Sequence, residues 1–165
     1  MSEEAQVGKT GNRSLWNNKT ATRWLQGIEY RVLEDGDDIH DYVNTMVRKE
    51  LEADCESMGY DARSDETVNS LARMRWSLET VDLRDVKLNP LITESHDLKT
   101  GRRFTDRLRE RRKDLRRALE SGEAAIWPLV LVGDDHFLID GYCRHSTLGE
   151  MGVSSAYCYC GRIRL

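Results

Sequence analysis

WPLVLVGDDHFLIDGYCRHSTLGEMG, residues 127 to 152, decides the fold. Trp127 to Val132 is a short apolar run, and Gly133-Asp134-Asp135 is turn chemistry. His136 to Asp140 predicts a second short strand, so the two form a hairpin. Asp140-Gly141 breaks that strand. Tyr142 to Met151 continues at helical spacing, with Gly152 as its stop. A glycine at a strand-to-helix corner lets backbone amides approach a ligand closely. The helix start that follows offers N–H donors and the positive end of a dipole. Arg144, His145, Ser146 and Thr147 lie within its first turn or so. The corner suits an anion, above all a phosphate.

Working upstream, Ala125 to Val132 (AIWPLVLV) is an apolar strand entered through Pro128. Gly101 to Gly122 predicts one amphipathic helix, with Phe104, Leu108, Leu115 and Leu119 as its apolar stripe and Thr100 or Thr105 near its start. It carries nine basic residues against Asp106, Glu110, Asp114 and Glu120. A solvated face laced with i, i+4 pairs explains most of that charge. Val81 to Pro90 (VDLRDVKLNP) resembles an opening strand with an Asn-Pro exit.

These ordered pieces, with I-D-G-x-x-R at Ile139 to Arg144, resemble the ParB/sulfiredoxin superfamily. The resemblance covers roughly Ser77 to Ile163. It implies an α+β fold, a small mixed-sheet domain over residues 77–165. The front half then predicts a disordered tail over 1–14 and a helical extension over 15–76. In that extension helix is expected from about Thr20. A second helix, on Ile39, Tyr42, Val43, Met46, Val47 and Leu51, runs from a turn and N-cap at Gly36-Asp37-Asp38 to a stop at Gly59. A third, capped by Ser64 or Asp65, carries Val68, Leu71, Met74 and Leu78.

The resemblance also implies a site. Asp140, Gly141, Tyr142, Cys143, Arg144, His145, Ser146 and Thr147 would hold a nucleoside phosphate, ATP or ADP first and CTP second, with magnesium. Arg111 or Arg112 of the basic helix would reach the same phosphates. In free-amino-acid kinases of the superfamily a glutamate after the first strand is catalytic, which points to Glu94 as general base, with His96, Asp97 and His145 as further candidates. Arg144 has a structural alternative, a salt bridge to Asp140. Tyr142 stands where sulfiredoxins carry their reactive cysteine, and Cys143 one residue later points about 100° away, so sulfinic-acid reduction is not expected. The expectation is a cytoplasmic enzyme, a kinase-like transferase or nucleotide hydrolase acting on a small hydroxyl acceptor or on water. Its rivals are a ParB-like DNA-associated module (DNA binding, nuclease or CTPase) and a non-catalytic interaction module that forms homo-oligomers through the helical extension.

Bulk properties bound these readings. The chain has 165 residues, 39% hydrophobic and 33% charged, with net charge −4. Residues 101–165 carry 12 Lys/Arg against 9 Asp/Glu, so the acidity lies in the first 100 residues and non-specific DNA binding is not favoured. No apolar run approaches a membrane span, and the N-terminus has no signal-peptide core. Gly8-Lys9-Thr10 ends like a phosphate loop but lacks the preceding strand and first glycine. The four cysteines read as reduced thiols. Cys143, His145, Cys158, Cys160 and His136 do not match zinc-knuckle spacing, so no metal ligands are assigned. Cys158 and Cys160 alternate with Tyr157 and Tyr159 as one face of a last strand.

Overall fold

A computed structural model describes residues 14 to 163, so the expectations for the tail and for Gly8-Lys9-Thr10 lie outside the described residues. The fold is α+β. After a 3-10 segment (Ser14–Lys19) come β1 (Ala21–Leu25) and β2 (Ile28–Val32), then α1 (Gly36–Tyr42), a π-helical segment (Val43–Val47) and α2 (Arg48–Ser57). The short α3 (Glu66–Ser70) leads through another 3-10 turn to β3 (Met74–Asp82). There follow α4 (Pro90–Thr93), α5 (Phe104–Glu120), β4 (Leu129–Val132), β5 (Phe137–Asp140), α6 (Tyr142–Glu150) and β6 (Ser155–Ile163).

The 127–152 stretch folds as the sequence predicts: hairpin β4–β5, a left-handed Gly141 (φ 105°), helix α6, and Gly152 (φ 79°) past its end. Long helix α5 also forms as expected. Its stripe Phe104, Leu108, Leu115 and Leu119 is half-buried throughout, and Arg103 rather than a threonine occupies the cap position.

Three expectations are corrected. The helix expected from Thr20 is the antiparallel hairpin β1–β2. Ile28, Tyr30 and Val32 are buried at period two, and the Gln26-Gly27 loop has both φ angles positive (51° and 82°), which suits the twist of a two-residue hairpin. The third helix stops early: Asp65 caps it by accepting from Val68 N, but Met74 and Leu78 belong to β3. The expected boundary at residues 76–77 therefore falls inside β3. The strand expected over Val81–Pro90 is broken. β3 ends at Asp82, a 3-10 turn occupies Leu83–Asp85, and Lys87 forms an isolated bridge to Phe137.

The main sheet has the order β3-β6-β4-β5, antiparallel except for the parallel pair β4/β6. Each face has its own core. On one, the stripe Ile39, Tyr42, Val43, Met46 and Val47 packs with Trp76, Trp127, Val130, Ile139 and Tyr159. Tyr42 stacks on Trp127 (centroids 4.8 Å, planes 11° apart) and meets Trp16 and Tyr159 edge-on. The Tyr159 hydroxyl accepts there from Leu33 N at 2.8 Å. On the other, Leu148 of α6 and the hairpin residues Ile28, Tyr30 and Val32 pack with Leu129, Leu131, Leu138, Cys158 and Cys160. The hairpin is tied in by Arg31 N donating to Ile126 O and Ile126 N to Glu29 O, both 2.9 Å. Cys158 and Cys160 thus face one core, as their alternation predicts.

Candidate functional site

The Gly141 corner opens onto a cavity of about 250 Å³. Three helices and the corner line it. α2 contributes Glu50, Asp54, Ser57 and Met58, and α5 contributes Phe104, Arg107, Leu108 and Arg111. Ile139 to Arg144 form the third wall, and Ile92 and Ser95 close the side beside α4. Phe104, Arg107, Leu108 and Arg111 share one helical face by their three- and four-residue spacing, so the apolar stripe that seats α5 also aims two guanidinium groups inward.

Gly141 is required on two counts. Its φ is left-handed, and a Cβ there would stand 2.7 Å from Leu129 Cδ2 and 3.1 Å from Arg144 Nη2. It serves as the N-cap of α6 and, as a glycine, supplies no side-chain cap of its own. Asp140 and Arg144 are joined by a 2.7 Å ion pair, and Arg144 Nη1 donates to the carbonyls of Trp127 (2.8 Å) and Pro128 (3.0 Å). With Arg144 only 7% exposed, this network bolts the corner to the strand entrance. The structural salt bridge foreseen for Arg144 is present, and the guanidinium lines the cavity wall at the same time. Tyr142 is also fixed: its hydroxyl donates to Leu138 O (3.0 Å) and accepts from Asn89 N (3.1 Å), and its ring meets Phe104 edge-on. Burial pushes its phenol pKa up.

Other expected residues lie elsewhere. Arg112 turns to α6, donating to Ser146 Oγ at 2.9 Å and pairing with Glu150 at 3.1 Å. Ser146 is thereby occupied in holding the two helices together. Thr147 is fully buried and its hydroxyl donates back to Cys143 O at 2.7 Å. His145 packs in a separate groove with Asp82, Leu83 and Arg84. Burial holds its imidazole below the ordinary value, partly opposed by a hydrogen bond to the Leu83 backbone. Glu94 and His96 are exposed and do not line the cavity, whereas Ser95 between them does. Asp97 is a turn former: its Oδ1 accepts from Lys99 N (2.8 Å) and Thr100 N (2.9 Å), and these donors hold its carboxyl below the usual range.

Two sets of lining residues escaped the sequence reading. Arg107 lies one helical turn before Arg111, and that i, i+4 relation was the available signal. Its Nε is buried and finds no hydrogen-bond partner among the described residues. Glu50 and Asp54 are also one turn apart, on a helix whose arrival at the corner is a tertiary event. The cavity therefore combines three guanidinium groups (Arg107, Arg111, Arg144) with three carboxylates (Glu50, Asp54, Asp140) and an uncapped helix start.

No family model matches the chain, and no curated protein does. Solved structures similar to it include two ParB N-domains. One is a pNOB8-like ParB N-domain in a C2221 form, at 19% identity and TM-score 0.40, covering 55% of this chain and 30% of the other. The second, also a pNOB8-like ParB N-domain, has 21% identity and TM-score 0.37, with 55% and 29% covered. The chain thus spans about 30% of the length of either structure.

Proposed function

We propose that the cavity at the Gly141 corner binds a nucleoside phosphate and supports transfer of its terminal phosphoryl group to a small hydroxyl compound or to water. The observation that carries this reading is the buried, unpartnered Arg107 Nε in a cavity that also holds Arg111 and the uncapped start of α6. Phosphate oxygens would satisfy the guanidinium donors and lie at the positive end of the α6 dipole. Arg144 positions the corner, since its donors are given to Asp140 and two carbonyls. Glu50 and Asp54 fit magnesium, a hard cation that takes one or two carboxylates together with substrate phosphates. The same carboxylates replace Glu94 and His96 as candidates for activating the acceptor, because they are in the cavity and those two are not. His145 lies outside it, in the groove beside Leu83, and is given no part in the transfer.

A second reading has one observation in its favour. Six basic residues of the α5 region are exposed (Arg102, Arg103, Arg109, Arg111, Lys113, Arg117), against exposed Glu110, Asp114 and Glu120. That surplus suits a nucleic-acid backbone. Thermal denaturation with ATP, ADP, CTP and GTP, each with and without magnesium, and with a short DNA duplex separates the two. The nucleotide reading expects one nucleotide to raise Tm by several degrees, an effect lost in Arg107→Ala and Arg111→Ala but kept in Arg112→Ala. A salt-sensitive shift with DNA and none with nucleotides would overturn it in favour of the second reading.

A further inference from the structure

On the sheet edge, Glu79 of β3, His136 of the β4–β5 turn and Cys160 of β6 bring one carboxylate oxygen, one imidazole nitrogen and one sulfur within 4.8 Å of one another. We propose that these three side chains form a binding site for a single zinc-class divalent ion, with water in the fourth position.

The donor set argues for the ion. A thiol, an imidazole and a carboxylate suit zinc and its borderline-soft neighbours; magnesium and calcium take oxygen donors only. The site is thus chemically distinct from the carboxylates in the Gly141 cavity. The three donors come from residues 24 to 81 positions apart in the chain, so pairing of the strands is what assembles them. Cys160 lies opposite Ser77 on β3, two residues from Glu79, so thiol and carboxylate project from the same face of the antiparallel pair.

His136 is held by its backbone. Its φ is +56°, its N–H donates to Gly133 O (3.2 Å), and its carbonyl accepts from Lys87 N (2.9 Å). The turn is pinned to β6 by Gly133 N donating to Gly161 O at 2.8 Å. Tetrahedral zinc separates such donors by about 3.3 to 3.8 Å, so the widest pair has to close by no more than roughly 1.5 Å. Rotation of the half-exposed Glu79 and His136 side chains supplies that movement.

The surroundings fit an ion as well. Ser77 Oγ donates to Glu79 Oε2 at 2.7 Å, and Arg162 donates to both oxygens at 2.6 and 3.3 Å. Such contacts orient a ligating carboxylate. Arg162 also pairs with Asp134 at 3.6 Å. With the ion bound, its charge and that of Arg162 balance the Cys160 thiolate, Glu79 and Asp134. Glu79 and His136 are half-exposed and Cys160 is buried, which leaves entry from the side of Glu79 and His136.

The test is metal titration of the full chain, reduced and freed of metal with a chelator. Zinc(II) is followed by competition with a chromophoric chelator, and cobalt(II) by its absorption. One equivalent should bind, with a thiolate-to-cobalt charge-transfer band. Cys160→Ser should abolish that band, while Cys158→Ser and Cys143→Ser leave it intact. His136→Asn retains a residue that tolerates left-handed backbone and should weaken zinc binding by about tenfold or more, as should Glu79→Gln. Absence of binding by the natural chain at about 100 μM zinc would overturn the proposal. So would unchanged affinity in a folded His136→Asn variant, or loss of the band in Cys158→Ser or Cys143→Ser.

Discussion

Two residues show how burial redirects a side chain whose identity was legible. Arg144 reads as an anion ligand, yet it is buried and divides its donors among Asp140 and the carbonyls of Trp127 and Pro128. Removing it leaves a half-buried carboxylate and two carbonyls without their donor. Arg144→Ala should therefore cost about 3 kcal/mol of stability in a denaturant titration, since one partner of a buried pair is removed and the other stays. The variant suited to testing ligand binding is Arg111→Ala, not Arg144→Ala. His145 gives a pH effect of definite sign. Burial depresses its pKa in the folded chain, so near and below the ordinary value of about 6.5 the unfolded chain takes up the proton first. Its contribution is complete at higher pH and is lost as pH falls. Tm should drop between about pH 7.5 and pH 5.5, and His145→Gln should flatten that drop. The depressed carboxyls of Asp97 and Glu150 act below this window, because their ordinary values are those of acids. A Tm that is flat in this range for the natural chain would contradict the assignment.

At the scale of elements, local signals fared unevenly. Asp35 ends the approach to α1 and accepts from Asp37 N at 2.8 Å and Asp38 N at 3.1 Å. Asp35→Ala should destabilise the fold by about 1 kcal/mol, measured by chemical denaturation. The cap was legible to within a residue, because capping chemistry is local. The hairpin β1–β2 was not. Ile28, Tyr30 and Val32 alternate, but Trp16, Trp24 and Leu25 blur the period, and Trp24 is 62% exposed rather than part of any apolar face. Nor was the division of labour along α5. Its seven basic residues look alike in sequence. Only the seating of the helix sends Arg107 and Arg111 to the cavity and Arg112 and Arg116 to Glu150 of α6.

At the scale of the molecule, the front half is a structural layer of the sheet domain. Trp16, Ile39, Tyr42 and Val47 cover the sheet face that carries Trp76, Val130 and Tyr159. A fragment beginning at residue 77 would expose that face and lose the first residues of β3. It should fail to fold cooperatively, with dye binding to apolar surface and no sharp thermal transition. A fragment that melted cooperatively would contradict this packing. Among the described residues no helix is long and apolar enough to cross a membrane.

What the sequence by itself determined was whatever depends on neighbours along the chain. The hairpin after Trp127, the left-handed glycine at 141, the helix starting there and the amphipathic stripe of α5 all follow from spacing and turn chemistry. What only the tertiary structure decided was which distant groups share a space. Glu50 and Asp54 face the Gly141 corner, and Glu79 meets His136 and Cys160, because helix docking and strand register bring them there. Glu94 and His96 stay outside that cavity for the same reason. Period and capping act over a few residues, whereas a site is closed by packing between segments, and no local pattern records that.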